Sequence, residues 1–207
     1  MRRVIISVLL LASSLACTAQ NLDTRLLATI NSAPKSLSDK HWHTVSNSVA
    51  HVGLASPILL FSAGLISGDS KMETNAAQLM ASVLVASKTS TALKQVFKRA
   101  RPFKASPEII YDKGGATSYS FPSGHTSEAF ATATSITLSY PKWYVAIPAF
   151  SYAGAVGYSR MYLGVHYPSD VIGGAVVGSA SAYATYKLNK WLHSRKISPS
   201  FAAGEKD

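Results

Sequence analysis

Apolar residues come in long uninterrupted segments, and no stretch of any length alternates apolar with polar positions. That pattern excludes a half-buried sheet and predicts helices throughout. Leu22, Leu26, Leu27 and Ile30 recur at helical spacing, which predicts a short amphipathic helix inside the otherwise polar stretch 20–49. Residues 50–68 carry no formal charge and a single histidine, His51. Residues 75–87 are also uncharged, and this helix is expected to run on through Lys88 to about Lys98. A polar loop from Pro102 to Phe121 follows, broken by Gly114-Gly115. Three more apolar segments come at about 124–140, 142–158 and 169–187, with Pro141 parting the first two. The expected fold is all-α: a single bundle of about five or six helices with its site at one end.

Composition makes the surroundings of this bundle a question. Charged residues are 14% of the chain, against roughly 25% in a soluble domain. Hydrophobic residues are 47%, and mean hydropathy is only +0.14. Low charge without high hydropathy means that Ala, Ser, Gly and Thr fill the segments. Small residues let helices pack closely in lipid. Tyr140, Trp143 and Trp191 stand at segment ends, where interfacial aromatics sit. A membrane-embedded bundle is therefore preferred. Segments shorter than the roughly 20 residues of a full span keep a soluble Ala-rich bundle as the alternative.

The N-terminus reads as an export signal. Arg2 and Arg3 precede the apolar run from Val4 to Leu11, and small residues at Cys17 and Ala19 suit cleavage after Ala19. The alternatives are an uncleaved first helix and lipid attachment at Cys17, the sole cysteine. Residues 1–19 are thus assigned to a signal peptide, 20–49 to an amphipathic N-terminal segment, 50–190 to the helical domain and 191–207 to a basic polar tail. His41-Trp42-His43 lacks an accompanying carboxylate or cysteine cluster, so it is read as a helix end or interface rather than a metal site.

The net charge of +10 calls for an anionic partner. The cations cluster at 94–104 and 187–196 rather than spreading as a nucleic-acid footprint, so no nucleic acid is expected. Cleavage of the signal and five spans would put 94–121 and 160–166 outside and the basic C-terminus inside. The tail then obeys the positive-inside rule, and the cluster Lys94, Lys98, Arg99, Arg101 and Lys104 breaks it. Such a cluster outside needs a task.

Three stretches carry candidate chemistry. Lys94 and Arg101 lie two helical turns apart, and would share a face if the helix persists to Pro102. Two cations on one face at a helix end can clamp a phosphate; by itself this stretch is read in preference as a solvated or juxtamembrane basic face. Phe121-Pro122-Ser123-Gly124-His125-Thr126 stands before an apolar helix. The N–H groups of Ser123, Gly124 and His125 would be unpaired there and directed at an anion, beside the Ser123 hydroxyl. An ordinary helix cap with a bystander histidine is the alternative. In Ser159-Arg160 through His166-Tyr167-Pro168-Ser169-Asp170, Asp170 lies four residues after His166. It can hold one ring nitrogen and leave the other to attack, with Arg160 as a further cation. A surface salt bridge and helix cap would show the same letters. The five-segment layout brings all three stretches to one end of the bundle.

Together, Lys94-x6-Arg101-Pro102, Pro122-Ser123-Gly124-His125 and Ser159-Arg160-x5-His166-x3-Asp170 resemble the signature of the type 2 phosphatidic acid phosphatase superfamily. That superfamily also holds class A acid phosphatases and vanadium-dependent haloperoxidases. The resemblance covers about 50–190 and leaves the region before 50 unexplained. It implies a metal-independent phosphatase without cofactor. His166 is implied as nucleophile, neutral at rest and forming a phosphohistidine. Asp170 fixes its tautomer, and His125, protonated, is the proton donor and later the base. Lys94, Arg101, Arg160, Ser123 and Gly124 hold the phosphate oxygens. The implied substrate is a phosphate monoester or diphosphate, in first place of an envelope lipid. The implied location is the inner membrane, with the site facing the periplasm. The alternatives are a soluble periplasmic acid phosphatase, a vanadate-dependent haloperoxidase and a non-catalytic phosphate or lipid binder. Tyr111, Tyr119 and Phe121 make the loop 103–121 either a substrate gate or a closure of the fold.

Overall fold

The computed structural model describes residues 21–34 and 36–196. The expected signal, its cleavage point and Cys17 lie outside the described residues. All the regular structure described is helical: α1 over 21–30, α2 Asp39–Ser67, α3 Ser70–Phe97, α4 Pro102–Ala105, α5 Gly124–Ser139, α6 Trp143–Tyr162 and α7 Pro168–Lys196. The all-α bundle expected from periodicity is thus the fold of the chain.

The start of α2 differs from expectation, while α3 ends about where expected, and both have physical reasons. The apolar segment 50–68 continues backward to Asp39, because Ser46, Val49, Gly53 and Pro57 recur at three- and four-residue intervals and form one buried face. His41-Trp42-His43 becomes the start of α2, where Trp42 packs on Tyr158 and Tyr162 with ring centroids 4.7 and 5.8 Å away. At the other end, α3 stops at Phe97 because Lys98 turns left-handed at φ 47°, its N–H closing on the Lys94 carbonyl. Pro102 does not end α3, as the sequence suggested. It opens α4, where a missing N–H costs nothing.

The central helix is α5, packed against α7, α3, α6 and α2. Its buried face is Thr126, Ser127, Ala129, Ala131, Thr132, Ala133 and Ser135. Gly174 and Gly178, one turn apart on α7, complete the contact: a Cβ at either would collide with the Ser123 or Ser127 carbonyl. This close approach seats the start of α5 against the start of α7.

Polarity is distributed inside out. Hydroxyls and amides link the helices internally: Ser90 to Ser127 at 2.7 Å, Ser82 to Thr185 at 2.6 Å, and Asn189 to Gln78 at 2.9 Å. Large apolar side chains face outward, among them Leu59, Ile66, Trp143, Ile147, Ile172 and Val176. In water this arrangement would waste apolar area; in lipid, small-residue packing and interhelical hydrogen bonds hold a bundle. By length and composition, α2 is the one helix among the described residues able to cross a membrane. Its most apolar window has mean hydropathy 1.9 and is only 22% buried within the bundle.

Candidate functional site

The site lies at the end of the bundle where α3 and α6 finish and α5 and α7 begin. The tight link from α6 to α7 delivers His166. Gly164 takes φ 73° there, and a Cβ on it would strike the Tyr111 carbonyl. The Arg160 carbonyl then accepts the N–H groups of Val165 and His166, at 3.2 and 3.3 Å. Those bonds fold the link back on the last turn of α6.

His166 is 2% exposed and has two different faces. Its Nε2 meets an Nη of Arg101 at 3.2 Å. Its Nδ1 faces Asp170 Oδ2 at 3.5 Å, longer than a hydrogen bond. The two groups face each other, but His166 Nδ1 has no hydrogen-bond partner among the described residues. Asp170 is fully buried and otherwise occupied: Oδ2 accepts the Ser120 hydroxyl and, at 2.9 Å, the Tyr167 N–H. Oδ1 accepts an Nη of Arg99 at 2.7 Å.

The three expected cations converge by separate routes. Lys94, in the last turn of α3, donates to the Tyr119 and Ser120 carbonyls at 2.7 and 3.3 Å. Because α3 ends at Phe97, Arg101 does not share a helix face with Lys94. It reaches the site from extended backbone and donates to the Ser118 and Val165 carbonyls at 2.6 and 2.7 Å. Arg160, buried in the last turn of α6, donates one Nη to the Ser46 hydroxyl. Its Nε is buried and without a hydrogen-bond acceptor. None of the three forms an ion pair with a described carboxylate. An unpaired buried guanidinium is costly unless an anion comes to it.

The α5 N-terminus differs in one detail from the expected anion nest. The Ser123 N–H is bonded to the Asp170 carbonyl at 3.0 Å, so it is not available. Gly124 and His125 are the first two residues of α5, and no preceding turn supplies acceptors for their N–H groups. The Ser123 hydroxyl caps no N–H of α5. It accepts from Thr126 Oγ1 at 2.8 Å, which leaves its own proton to donate.

Both histidines are held neutral. Burial pushes His166 down to about 3, and the neighbouring Arg160 and Arg101 oppose the favourable pull of Asp170. Burial also pushes His125 down to about 4, with Arg160, Arg101 and Lys94 adding repulsion. Neutral His166 agrees with expectation. Protonated His125 does not: burial first, and then the three neighbouring cations, disfavour its charge.

Loop 103–121 is partly a structural wall. Ile110 is buried with Leu27 and Tyr167, and Phe121 packs edge-on to Phe97 at 4.9 Å. The Tyr111 backbone is tied by the buried Asn31 side chain, which also donates to the Tyr162 carbonyl at 2.7 Å. Tyr111 and Tyr119 remain partly exposed. Sequence reasoning missed Arg99 as a site residue, along with Asp23, Ser120, Ser118 and Ser46. Arg99 was visible only as one member of a cation cluster, and the others carried no local signal.

Residues 75–194 match the sequence profile of the PAP2 superfamily. An undecaprenyl-diphosphatase of Sulfolobus acidocaldarius is 33% identical over 119 residues, covering 58% of this chain and 57% of that protein. A lipid A 4'-phosphatase of Bacteroides thetaiotaomicron is 33% identical over 98 residues, covering 45% and 43%. The chain thus spans about half the length of these curated relatives. Among solved structures, LpxE of Aquifex aeolicus superposes with a TM-score of 0.62 at 28% identity, over 79% of this chain and 93% of that one. A transmembrane PAP2-type phosphatidylglycerolphosphate phosphatase of Bacillus subtilis shares the fold, with a TM-score of 0.69 at 22% identity, over 84% and 88%. Profile, relatives and fold agree, and the chain belongs to the PAP2 superfamily.

Proposed function

We propose that the protein hydrolyses the phosphate monoester or diphosphate of an envelope lipid through a phosphohistidine at His166. One observation carries the reading: among the described residues, Lys94, Arg101 and Arg160 stand around His166 and His125 without a paired carboxylate, and Arg160 Nε has no acceptor. Such a constellation binds a multivalent anion and stabilises the charge that develops on it.

The chemistry follows from the two faces of His166. With the proton on Nδ1 toward Asp170, the Nε2 lone pair points at the cations. It attacks phosphorus, the N–P bond forms, and the bond to the leaving oxygen breaks. Nonbridging oxygens are held by Lys94, Arg101, Arg160, the Ser123 hydroxyl and the Gly124 N–H. The phosphate charge offsets the repulsion on His125, which then carries the proton that the leaving oxygen takes. Neutral again, His125 accepts a proton from water as its oxygen attacks phosphorus, and the N–P bond breaks. The site's own cations supply the charge that a metal ion supplies in other phosphoryl-transfer enzymes.

A lipid substrate is supported by the apolar exterior of the bundle and by the relatives named for undecaprenyl diphosphate and lipid A. A concavity of about 490 Å³ lined by Phe97, Arg99, Ala100 and Phe121 offers apolar surface beside the loop that leads to Ser123. In this reading the site faces the periplasm from the inner membrane. The test is phosphate release by purified protein across undecaprenyl diphosphate, lipid A, phosphatidic acid and a soluble ester, with ³²P trapping on the chain. Turnover by His166→Ala near the wild-type rate would sink the assignment.

A further inference from the structure

We infer that Asp23, in the N-terminal helix outside the matched residues 75–194, is a positioning residue for the Asp170–His166 pair. The inference rests on the reading of His166 as nucleophile. Asp23 is buried, and its two carboxylate oxygens serve different ends. Oδ1 accepts the Ser169 N–H at 3.0 Å. Ser169 is the second residue of α7, where an N–H has no acceptor within its own helix. Asp23 therefore caps α7 from 146 residues away.

Oδ2 accepts the Ser169 hydroxyl and, at 2.7 Å, an Nη of Arg99. The other Nη of Arg99 donates to Ser169 Oγ at 2.6 Å and to Asp170 Oδ1 at 2.7 Å. The guanidinium is thus spread between two carboxylates, and its plane lies over the Tyr167 ring with Cζ 4.0 Å from the centroid. Tyr167 in turn packs with Leu27 of α1. Asp23 thereby fixes both what holds Asp170 and the turn that carries it.

The charge balance gives Asp23 a second effect. Two carboxylates share one arginine, so Asp170 retains negative character toward His166 Nδ1 although it is salt-bridged. Without Asp23, Arg99 would turn wholly to Asp170 and draw its charge away from the imidazole. The support that Asp170 gives the developing positive charge on His166 would fall, while the cations that bind phosphate would be untouched. The expected signature is a loss in kcat with KM held.

Asp23→Asn preserves shape and removes the charge. The expected result is a fall in kcat of roughly tenfold, with KM for a soluble phosphate ester within twofold, by analogy with groups that orient a catalytic histidine. Asp23→Glu should recover part of the loss. In an Arg99→Gln background, Asp23→Asn should cost little more, because the two act through one path. Leu79→Ala, a core truncation in α3 away from the site, is the structural control, expected to lower Tm with kcat per folded molecule unchanged. The inference is overturned if Asp23→Asn leaves kcat intact, if it only lowers Tm as Leu79→Ala does, or if its effect adds in full to that of Arg99→Gln. Should Asp23→Asn not fold, Asp23→Ser removes the same charge, and kcat at the wild-type level there overturns the inference equally. His166→Ala run in parallel separates the failures: turnover there sinks the nucleophile, whereas an inactive His166→Ala beside a fully active Asp23→Asn sinks only Asp23.

Discussion

Arg99 and Arg160 stand at the same end of the bundle and are bound in opposite ways. Arg99 is saturated with acid, with one Nη on Asp23 and the other on Asp170. Arg160 is more deeply buried yet meets only the Ser46 hydroxyl, and its Nε meets nothing. Lys94 and Arg101 follow Arg160, donating mainly to backbone carbonyls. A paired cation is architecture, because its charge is already cancelled. An unpaired one keeps its field for a ligand and costs stability while it waits. In the proposed function, the partition between Arg99 and the other three separates scaffold from phosphate cradle more sharply than any sequence motif does.

The largest effect should come from the group that the cradle serves. His166→Ala should lower turnover on the order of 10⁴-fold or more, the scale for a nucleophile acting as part of a unit. It should also abolish ³²P trapping. Arg160→Met tests the cradle itself. It should cost about 10²–10³ in kcat, as for a lost oxyanion donor, while thermal stability holds or rises because an unpaired buried charge is gone. A loss of both activity and stability would show that Arg160 belongs with Arg99. Arg99→Gln should cut kcat roughly tenfold through Asp170 and lower stability as well, reversing the stability sign of Arg160→Met.

Proton linkage offers a finer test. His125 sits at about 4 among these cations, so it is neutral at pH 7. A bound dianion cancels part of the cationic field, raises that value, and draws a proton onto the ring. Inhibition by sulfate, which has no proton to give in this range, should tighten as pH falls from 7 to 5, by up to roughly tenfold per unit. His125→Gln should flatten the dependence. The smallest effect belongs to the neutral interior: Ser82→Ala should cost about 1 kcal/mol of stability and leave kcat per folded molecule unchanged.

Much of this was legible in the sequence because motif residues sit close to one another along the chain. His166 and Asp170 are one turn apart, and Ser123 and His125 open the same helix. The helical pattern was legible because apolar segments and prolines mark it. The left-handed turn at Lys98, which takes Arg101 off the face of α3, was not, since a lysine in that region announces itself by no residue preference. Nor was the Asp23–Arg99–Asp170 chain, whose links join positions 76 and 71 residues apart. An aspartate in a polar N-terminal stretch looks like any solvated acid until the fold places it against Arg99. The Ser123 N–H, expected to face an anion, is taken by the Asp170 carbonyl for the same reason: that bond exists only once α7 lies on α5.

The outward apolar face of α2 bears on how this protein's kinetics should be measured. A chain that leaves most of its most apolar window facing away from the bundle is suited to a lipid or detergent phase. An amphiphilic phosphate, the proposed substrate, would share that phase, and encounters would take place on a surface rather than in a volume. Rate should then follow the mole fraction of substrate among surrounding amphiphiles and fall when inert detergent is added at constant bulk substrate. A water-soluble ester reaching the same cradle from outside should be indifferent to that dilution.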